Sequence, residues 1–411
     1  MKFIVIGITD HPHPFFPPEV MDVIRQGKVF SGGKRHHEIV EPLLPEDAEW
    51  IDIIAPLDAV FEQYKAQSSK LKAQSLMLKA ITVFASGDPL FFGFANTIKR
   101  KMPEAEIKLY PSFNSLQMLA HKLVMPYHDM RIVSLTGRPW PEFDKALIEG
   151  AEKMGVLTDR EHTPATIVQR MLDYGYTSYN IYVGEHLGNP ELEKVTSLTL
   201  EEAAQRNFDY PNCVILSKTE DTATLFGIPD AAFTLLDGRE KMITKMPIRL
   251  LTLQALDLPN RHVLWDIGFC TGSVSIEARL QFPHLHIEAF EVRPECEAII
   301  HENARKFGAP GIEVHIGDFL ETDISALPRP DAVFIGGHGG RLKDIMAKVL
   351  TVLNPEGIIV FNSVTSPKVS TDSRKLWDEA CAELCLHQEP PLRIQLNDYN
   401  PIEILRSTIQ I

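Results

Sequence analysis

Cysteine is scarce in this chain of 411 residues: there are five thiols, Cys213, Cys270, Cys296, Cys381 and Cys385, and no CxxC pair. An odd count without such pairing excludes a disulfide framework and a structural zinc site as the basis of folding, and it fits a reducing compartment. Long apolar runs are missing as well. None approaches the roughly 20 residues that a bilayer-spanning helix needs, so no membrane partner is expected. The opening MKFIVIGITD is apolar only as far as Asp10, is too short for a signal-peptide core and lacks a small-residue cleavage pattern, so the expected location is cytoplasmic. There is no low-complexity tract and no short-period repeat. Positive charge is also in deficit, with 41 Lys and Arg against 55 Asp and Glu, a net charge of −14. A polyanion would meet net repulsion, and the longest basic cluster, GKRHH at Gly33–His37, is short. Nucleic acid is therefore disfavoured as a partner, whereas a small anionic substrate held by a few arginines is not.

What is present reads as globular α/β protein, with 44% hydrophobic and 23% charged residues. The length favours two domains over one core. In residues 1–218 the apolar runs KFIVIGI, ITVFASG, IKLYPS, MRIVSLTG, KMGVLTD, YNIYVGE and NCVILSK alternate with helical patterns such as PATIVQRMLDY. Such alternation predicts open α/β layers. Residues 219–237, with little strand patterning and with Gly227 and Pro229, read as a linker. A second alternation fills 238–411: HVLWDIG, LHIEAFEV, IEVHIGD, DAVFIGG, GIIVFNSV, PLRIQLN and PIEILRS. Only DYN separates the last two runs, so they are predicted to form a hairpin, because a parallel crossover needs a far longer connection.

The chemistry concentrates at strand ends. In HVLWDIGFCTGSVSIEA, His262–Ala278, a strand is followed by the turn Gly268–Gly272 and then by a helix whose first N–H groups are unpaired. Glu291 ends the next strand, where it can take ribose hydroxyls, and Asp318 ends a third, where it can accept from an adenine amino group. A dinucleotide fingerprint would need glycine at Cys270, close to pyrophosphate. Asp266, leading the turn, would repel pyrophosphate but suits the cationic methionine end of S-adenosylmethionine, so charge complementarity favours the methyl donor. Upstream, ASGDPLFFG places Ser86, Gly87, Asp88 and Pro89 in a strand-to-helix turn, with Asp88 read as a cap and Pro89 as the first helical residue. Trp265 reads as core. The histidines of HPHPFF and RHH lack a spacing that converges on one helix face, so no metal is expected.

The second half resembles the class I methyltransferases, whose Rossmann-like, seven-stranded sheet ends in such a hairpin. More narrowly, the segment from GIPDAAF through SVSIEA is similar to the decarboxylating methyltransferase domains of cobalamin synthesis. Thr244 of ITK matches their MTK element, and Asp266, Gly268, Thr271 and Gly272 match their D-I-G-x-G-T-G-S turn, with Cys270 in place of a glycine. VFIGGHGG, Val333–Gly340, resembles their glycine-rich segment facing the substrate. The first half resembles the tetrapyrrole methyltransferases, which have two α/β lobes with the donor in the cleft between them. The match runs through VIGI, ASGDPLFFG, YPSFNSLQMLAHKL, VSLTGR, VLTDREHTPATIVQRMLDYG and VGEHLGNPEL. It implies a donor site at Gly7, Ser86, Gly87, Asp88, Ser115, Gly137 and Gly184, and only Gly7 remains of the usual first glycine-rich loop.

Together the resemblances imply two S-adenosylmethionine-dependent methylations of a tetrapyrrole, at C-5 by the first half and at C-15 by the second, with loss of CO2 from the ring C acetate. They also imply a homo-oligomer. Alignment of donor and nucleophilic carbon supplies most of such a reaction. Decarboxylation needs a group to protonate the carbon that loses CO2, and the candidate is His338 of GGHGG. Arg138, Arg249 and Arg341 are the candidates for pairing with substrate carboxylates. Three other readings stay open at this level: a different tetrapyrrole or RNA substrate, a nicotinamide oxidoreductase, and a first half that only scaffolds the second.

Overall fold

The computed structural model describes residues 1–71, 80–221, 225–239, 241–364, 373–397 and 400–409. The chain divides into two compact units: Met1–Arg138 with Glu152–Gln169 and Tyr179–Thr219, and Pro139–Ala151 with Arg170–Ser178 and Glu220–Ile411. No helix among the described residues is long and apolar enough to cross a membrane.

The first unit holds two sheets. One comprises β1 (Lys2–Ile8), β2 (Val29–Gly32), β3 (Glu49–Asp52), β4 (Ala80–Ser86) and β5 (Glu106–Tyr110). Its order is β3-β2-β4-β1-β5, and every pair in it is parallel. The central strands β1 and β4 are near-continuous apolar runs because both of their faces are covered: Phe3, Val5 and Val83 pack with Val60, Phe61 and Tyr64 on one side, and Ile6 and Phe84 with Val20, Ile24 and Val40 on the other. The other sheet comprises β6 (Arg131–Ser134), β7 (Lys153–Leu157), β8 (Tyr179–Glu185), β9 (Lys194–Leu198) and β10 (Asn212–Lys218), in the order β6-β7-β10-β8-β9. Only its β6–β7 pair is parallel.

The second unit is built on β11 (Val263–Ile267), β12 (His286–Glu291), β13 (Ile312–Ile316), β14 (Ala332–Ile335), β15 (Ile358–Val364), β16 (Leu386–Gln388), β17 (Leu392–Ile394) and β18 (Ile402–Ile409). The path β13-β12-β11-β14-β15-β18-β16 is parallel up to β15 and antiparallel beyond it. The expected hairpin forms, since Arg393 pairs with Glu403. Among the described residues the sheet has eight strands where seven were expected, for a local reason. Leu386–Gln388 and Leu392–Ile394 lie one after the other along β18, and Pro390 and Pro391 break what would otherwise be a single edge strand. Strand order reverses at β11, between β12 and β14, which is where an open α/β sheet leaves a crevice at its carboxyl ends.

Residues 225–237 are packed rather than extended: Ile228, Phe233 and Leu236 are buried, and the N–H groups of Gly227 and Ile228 donate to the Glu277 carboxylate at 2.7 and 3.1 Å.

Candidate donor clefts

In the second unit, β11 delivers Asp266 and Ile267 to the crevice, and the chain then turns sharply. Gly268 has φ +81°, and a Cβ there would lie 2.5 Å from the Gly337 nitrogen. The turn after β11 and the loop after β14 therefore touch backbone to backbone, and the N–H of Gly336 donates to the Ile267 carbonyl at 2.8 Å. The cleft they border has a volume of ≈ 540 Å³ and is lined by Asp266, Gly268, Cys270, Glu291, Asp318 and Thr244 among others.

Its electrostatics are set by three carboxylates in different environments. Asp266 is 1% exposed; Ser275 Oγ donates to its Oδ2 at 2.6 Å, and its Oδ1 has no hydrogen-bond partner among the described residues. Burial, with a smaller push from the Glu291 charge, raises its carboxyl to about 7. Glu291 is buried and heavily bonded. Its Oε2 accepts from the Cys270 N–H at 3.0 Å, and its Oε1 accepts from the N–H groups of Val292 and Arg293 and from the Arg293 guanidinium. Oε2 keeps lone pairs beyond that one bond. Asp318 is held below the ordinary carboxylate range by Arg341, whose Nη2 donates to Oδ2 at 2.7 Å.

His338 also lines this cleft, with its ring edge-on to Phe361 at 5.6 Å. Its Nδ1 accepts from the Gly340 N–H at 3.1 Å, so the ring proton sits on Nε2, and burial lowers its pKa. A neutral imidazole fixed in this tautomer is a hydrogen-bond donor and a poor source of protons.

Some sequence-based expectations are corrected. Arg249 is fully buried and cannot meet a substrate carboxylate. Its guanidinium is spent on Glu277 at 3.1 Å, on the Thr244 carbonyl at 2.9 Å and on the Ile228 carbonyl. Thr271 and Gly272 are not among the cleft-lining residues; Gly272, at φ +72°, lets the helix Ser273–Gln281 approach Ile300, which a Cβ would meet at 2.4 Å. Sequence reasoning missed Asn362, Ile394, Leu396 and Ile402, which complete the wall from β15 and the hairpin, and Val292, which is 56% exposed beside Glu291.

The first unit has its own cleft of ≈ 470 Å³, lined by Ser86, Gly87, Ser115, Gly184 and Arg138. Ser115 opens the helix Ser115–Lys122, which is capped reciprocally by Asn114 and Gln117. Gly7, Asp88 and Gly137 are not among the lining residues. Gly7 supports the site from beneath, because a Cβ there would lie 1.9 Å from the Gly87 oxygen. Asp88 makes a local turn, accepting from the Leu90 N–H at 2.8 Å, and the helix expected to start at Pro89 begins only at Phe94. The Gly137 N–H donates to Asp159 Oδ2 at 2.8 Å.

Four side chains that the sequence did not assign to a donor site are joined here, Asp10, Arg35 and His36 from the cleft lining and His186 beside them. Asp10 accepts from Arg35 at 2.8 Å and pairs with His186 Nδ1 at 2.9 Å, while Arg35 and His36 both reach Ser86 Oγ at 2.9 Å. Burial holds His36 down at about 4, and its Nδ1 accepts from the Gly33 N–H. Ser86 Oγ thus receives two donors, and its own proton is left to point elsewhere.

Residues 16–204 match the tetrapyrrole (corrin/porphyrin) methylases, and residues 236–384 match the precorrin methyltransferase domain. The chain is 30% identical over 363 residues to a precorrin-6Y C(5,15)-methyltransferase [decarboxylating] of Sinorhizobium sp, an alignment that covers 88% of this chain and 84% of that protein. The chain belongs to the precorrin-6Y C(5,15)-methyltransferase (decarboxylating) family. A cobalt-precorrin-6B C(15)-methyltransferase (decarboxylating) of Salmonella typhi is 36% identical over 168 residues, 41% of this chain and 83% of that protein. The crystal structure of a precorrin-6y C5,15-methyltransferase from Geobacter metallireducens GS-15 is 33% identical, covers 45% of this chain and 98% of its own, and aligns with a TM-score of 0.40.

Within the precorrin-6Y methyltransferase family, this member carries a cysteine where the resembling turn has glycine. Cys270 sits at φ +51°, a left-handed conformation that costs a non-glycine residue about 1 kcal/mol. Cys270→Gly is therefore expected to leave donor binding in place and to hold or raise the melting temperature, as thermal unfolding with and without S-adenosylhomocysteine would show. A lower melting temperature would mean that the thiol's packing against Cys296 and Ile300 outweighs the backbone strain.

Proposed function

We propose that this chain methylates a precorrin at C-5 and C-15 and removes CO2 from the ring C acetate, in the cytoplasm, as a step of cobalamin synthesis. Residues 1–218 would carry the C-5 reaction and residues 238–411 the C-15 reaction and decarboxylation, with one S-adenosylmethionine in each cleft. The observation that carries the reading is Asp266: a buried carboxylate oxygen without a hydrogen-bond partner among the described residues, at the wall of a cleft whose strand ends also present Glu291 and Asp318. That donor set fits a ligand with a cationic centre, a diol and an amino-bearing ring, and it does not fit a pyrophosphate.

The donor supplies a methyl group on a sulfonium. The chain's own residues align and shield. Asp266 neutralises the cationic end, and the Gly268–Gly337 contact fixes the distance between the donor turn and the loop that bears His338. The Nε2–H of His338 holds a substrate carboxylate in place; its tautomer and lowered pKa fit that role better than delivery of a proton. Arg341 is shared between Asp318 and the cleft, so it can turn to a second carboxylate. In the first cleft, Ser86, Gly87 and Ser115 present the strand end and helix start against which a donor would lie.

The test is calorimetric titration of the full chain with S-adenosylhomocysteine. Two sites are expected, with Ser86→Phe removing one and Asp266→Ala weakening the other. A single site that only Asp266→Ala disturbs would make the first half a scaffold, and no binding would overturn the methyltransferase reading.

A further inference from the structure

The turn that follows β13, residues 318–322, is gripped at both ends. At its head the N–H groups fold back on Asp318: that of Leu320 donates to Oδ1 at 3.0 Å, and those of Glu321 and Thr322 donate to the Asp318 carbonyl at 2.9 and 3.1 Å. Three carbonyls of the same turn meet a single side chain. Lys348 Nζ donates to the carbonyl oxygens of Phe319 and Leu320, both at 2.8 Å, and to that of Thr322 at 2.5 Å. Each proton of the ammonium thus has an acceptor, which is all that a lysine can give. The ammonium also lies 5.3 Å from the centroid of Phe319, a buried ring on the wall of the second cleft that packs against Trp265 and Phe290. Burial lowers the Lys348 pKa while Asp318 pulls it back up, and Lys348 adds to the pull of Arg341 that keeps Asp318 ionised.

Arg341 and Lys348 stand at the two ends of one helix, Leu342–Leu350, the arginine just before its first residue and the lysine in its last turn. Their holds differ in kind. Arg341 is 49% exposed and bonds the carboxylate itself, so it can exchange that partner for another. Every proton of Lys348 is committed to backbone, so it fixes the path of the chain from which Asp318 projects.

We propose that Lys348 is a positioning residue of the second cleft: by holding the carbonyls of the 318–322 turn, it keeps the Asp318 carboxylate where it accepts from the adenine amino group of the donor. The inference rests on the reading of this cleft as an S-adenosylmethionine site.

The experiment is calorimetric titration of the full chain carrying Ser86→Phe, so that the second cleft alone reports. The two ligands are S-adenosylhomocysteine and S-inosylhomocysteine, whose ring bears an oxygen in place of the amino group. The adenine form is expected to bind more tightly, because a carboxylate accepts from the amino group and repels the oxygen. Lys348→Met is expected to weaken S-adenosylhomocysteine about tenfold and to leave S-inosylhomocysteine nearly unchanged, so that the preference collapses. The unchanged ligand then shows that the fold survives. Lys348→Gln, which keeps the stem beside Phe319 and two of the three donors, should retain part of the preference, and it carries the test if the methionine variant does not fold. In an Asp318→Ala background Lys348→Met should alter neither ligand further. Equal weakening of both ligands would make Lys348 a purely structural residue and overturn the proposal, as would variants that keep the full preference. Tight binding of both ligands by the chain with Lys348 intact, without preference, would also overturn it while leaving the donor site standing. Binding of neither ligand would sink the donor reading itself.

Discussion

Asp266→Asn is expected to abolish the pH dependence of S-adenosylmethionine binding in the second cleft. In the free protein the Asp266 carboxyl is pushed up to about 7 by burial, so near neutrality it is divided between its protonated and ionised forms. A sulfonium brought against it favours the ionised form. Donor binding should therefore expel a proton, and affinity should rise with pH, up to about tenfold per unit below 7, before levelling off above it. The other charged groups lining the cleft are Lys241, Lys245, Glu291, Arg293, Asp318 and Arg341, and of these Glu291 pushes Asp266 in the same direction as burial. Calorimetry in two buffers of different ionisation enthalpy reads the proton directly. S-adenosylhomocysteine, whose sulfur is uncharged, should release less.

The same raised carboxyl governs stability with the opposite sense. Because the folded chain holds this proton more tightly than the unfolded one, its contribution is fully present below the ordinary value of 3.8 and is lost as pH rises through about 7. Asp266→Asn should thus melt higher than the unaltered chain at pH 8 in the absence of donor, and the two should converge towards pH 4. Equal proton release by the variant, or parallel melting curves across that range, would sink the assignment.

Arg249→Ala should destabilise the second unit by roughly 3–5 kcal/mol, the usual cost of stranding a buried charge. Arg249 and Glu277 are both inaccessible to solvent, and the arginine also satisfies the carbonyls of Ile228 and Thr244. Removing it leaves Glu277 with the N–H groups of Gly227 and Ile228 as its partners among the described residues, and the segment bearing Thr244 loses the bond that its carbonyl makes to the guanidinium. A fall in melting temperature of roughly 6–20 °C is expected, together with weaker donor binding. A purely substrate-binding arginine would behave otherwise, raising KM with no change in unfolding. Double replacement of Arg249 and Glu277 by Met and Leu should recover part of the loss, since no lone charge remains buried.

These two residues show what could be read before folding. Asp266 was legible because its chemistry is local: an apolar strand, an acidic residue and a glycine turn lie within a few positions, and the same holds for Glu291 and Asp318. Arg249 misled because nothing on its own helix, Met246–Ala255, shows that Glu277 and two carbonyls converge on it from other segments. Long apolar strands were equally plain. β2, β3, β9 and β16 were not, being only three to five residues long, and β3 and β9 are partly exposed edges without a clear alternation. In the first cleft, Ser86 and Ser115 were found through a resemblance, whereas Asp10, Arg35, His36 and His186 come together from three separate stretches of chain that carry no shared pattern.

The position of β18 bears on how the second unit comes into being during synthesis. This strand is inserted between β15 and β16, and its Ile402 is part of the cleft wall. Every other strand of the sheet leaves the ribosome before it. Until residues 402–409 have emerged, β15 keeps an unpaired edge, with the apolar residues Ile404 and Leu405 still missing from the core beside it. The nascent chain thus passes through an interval in which the Gly268–Gly272 turn is complete but the sheet beside it is open, the kind of edge that invites pairing with a neighbouring chain. Slowing translation before residue 402 should lengthen that interval and lower the yield of folded protein.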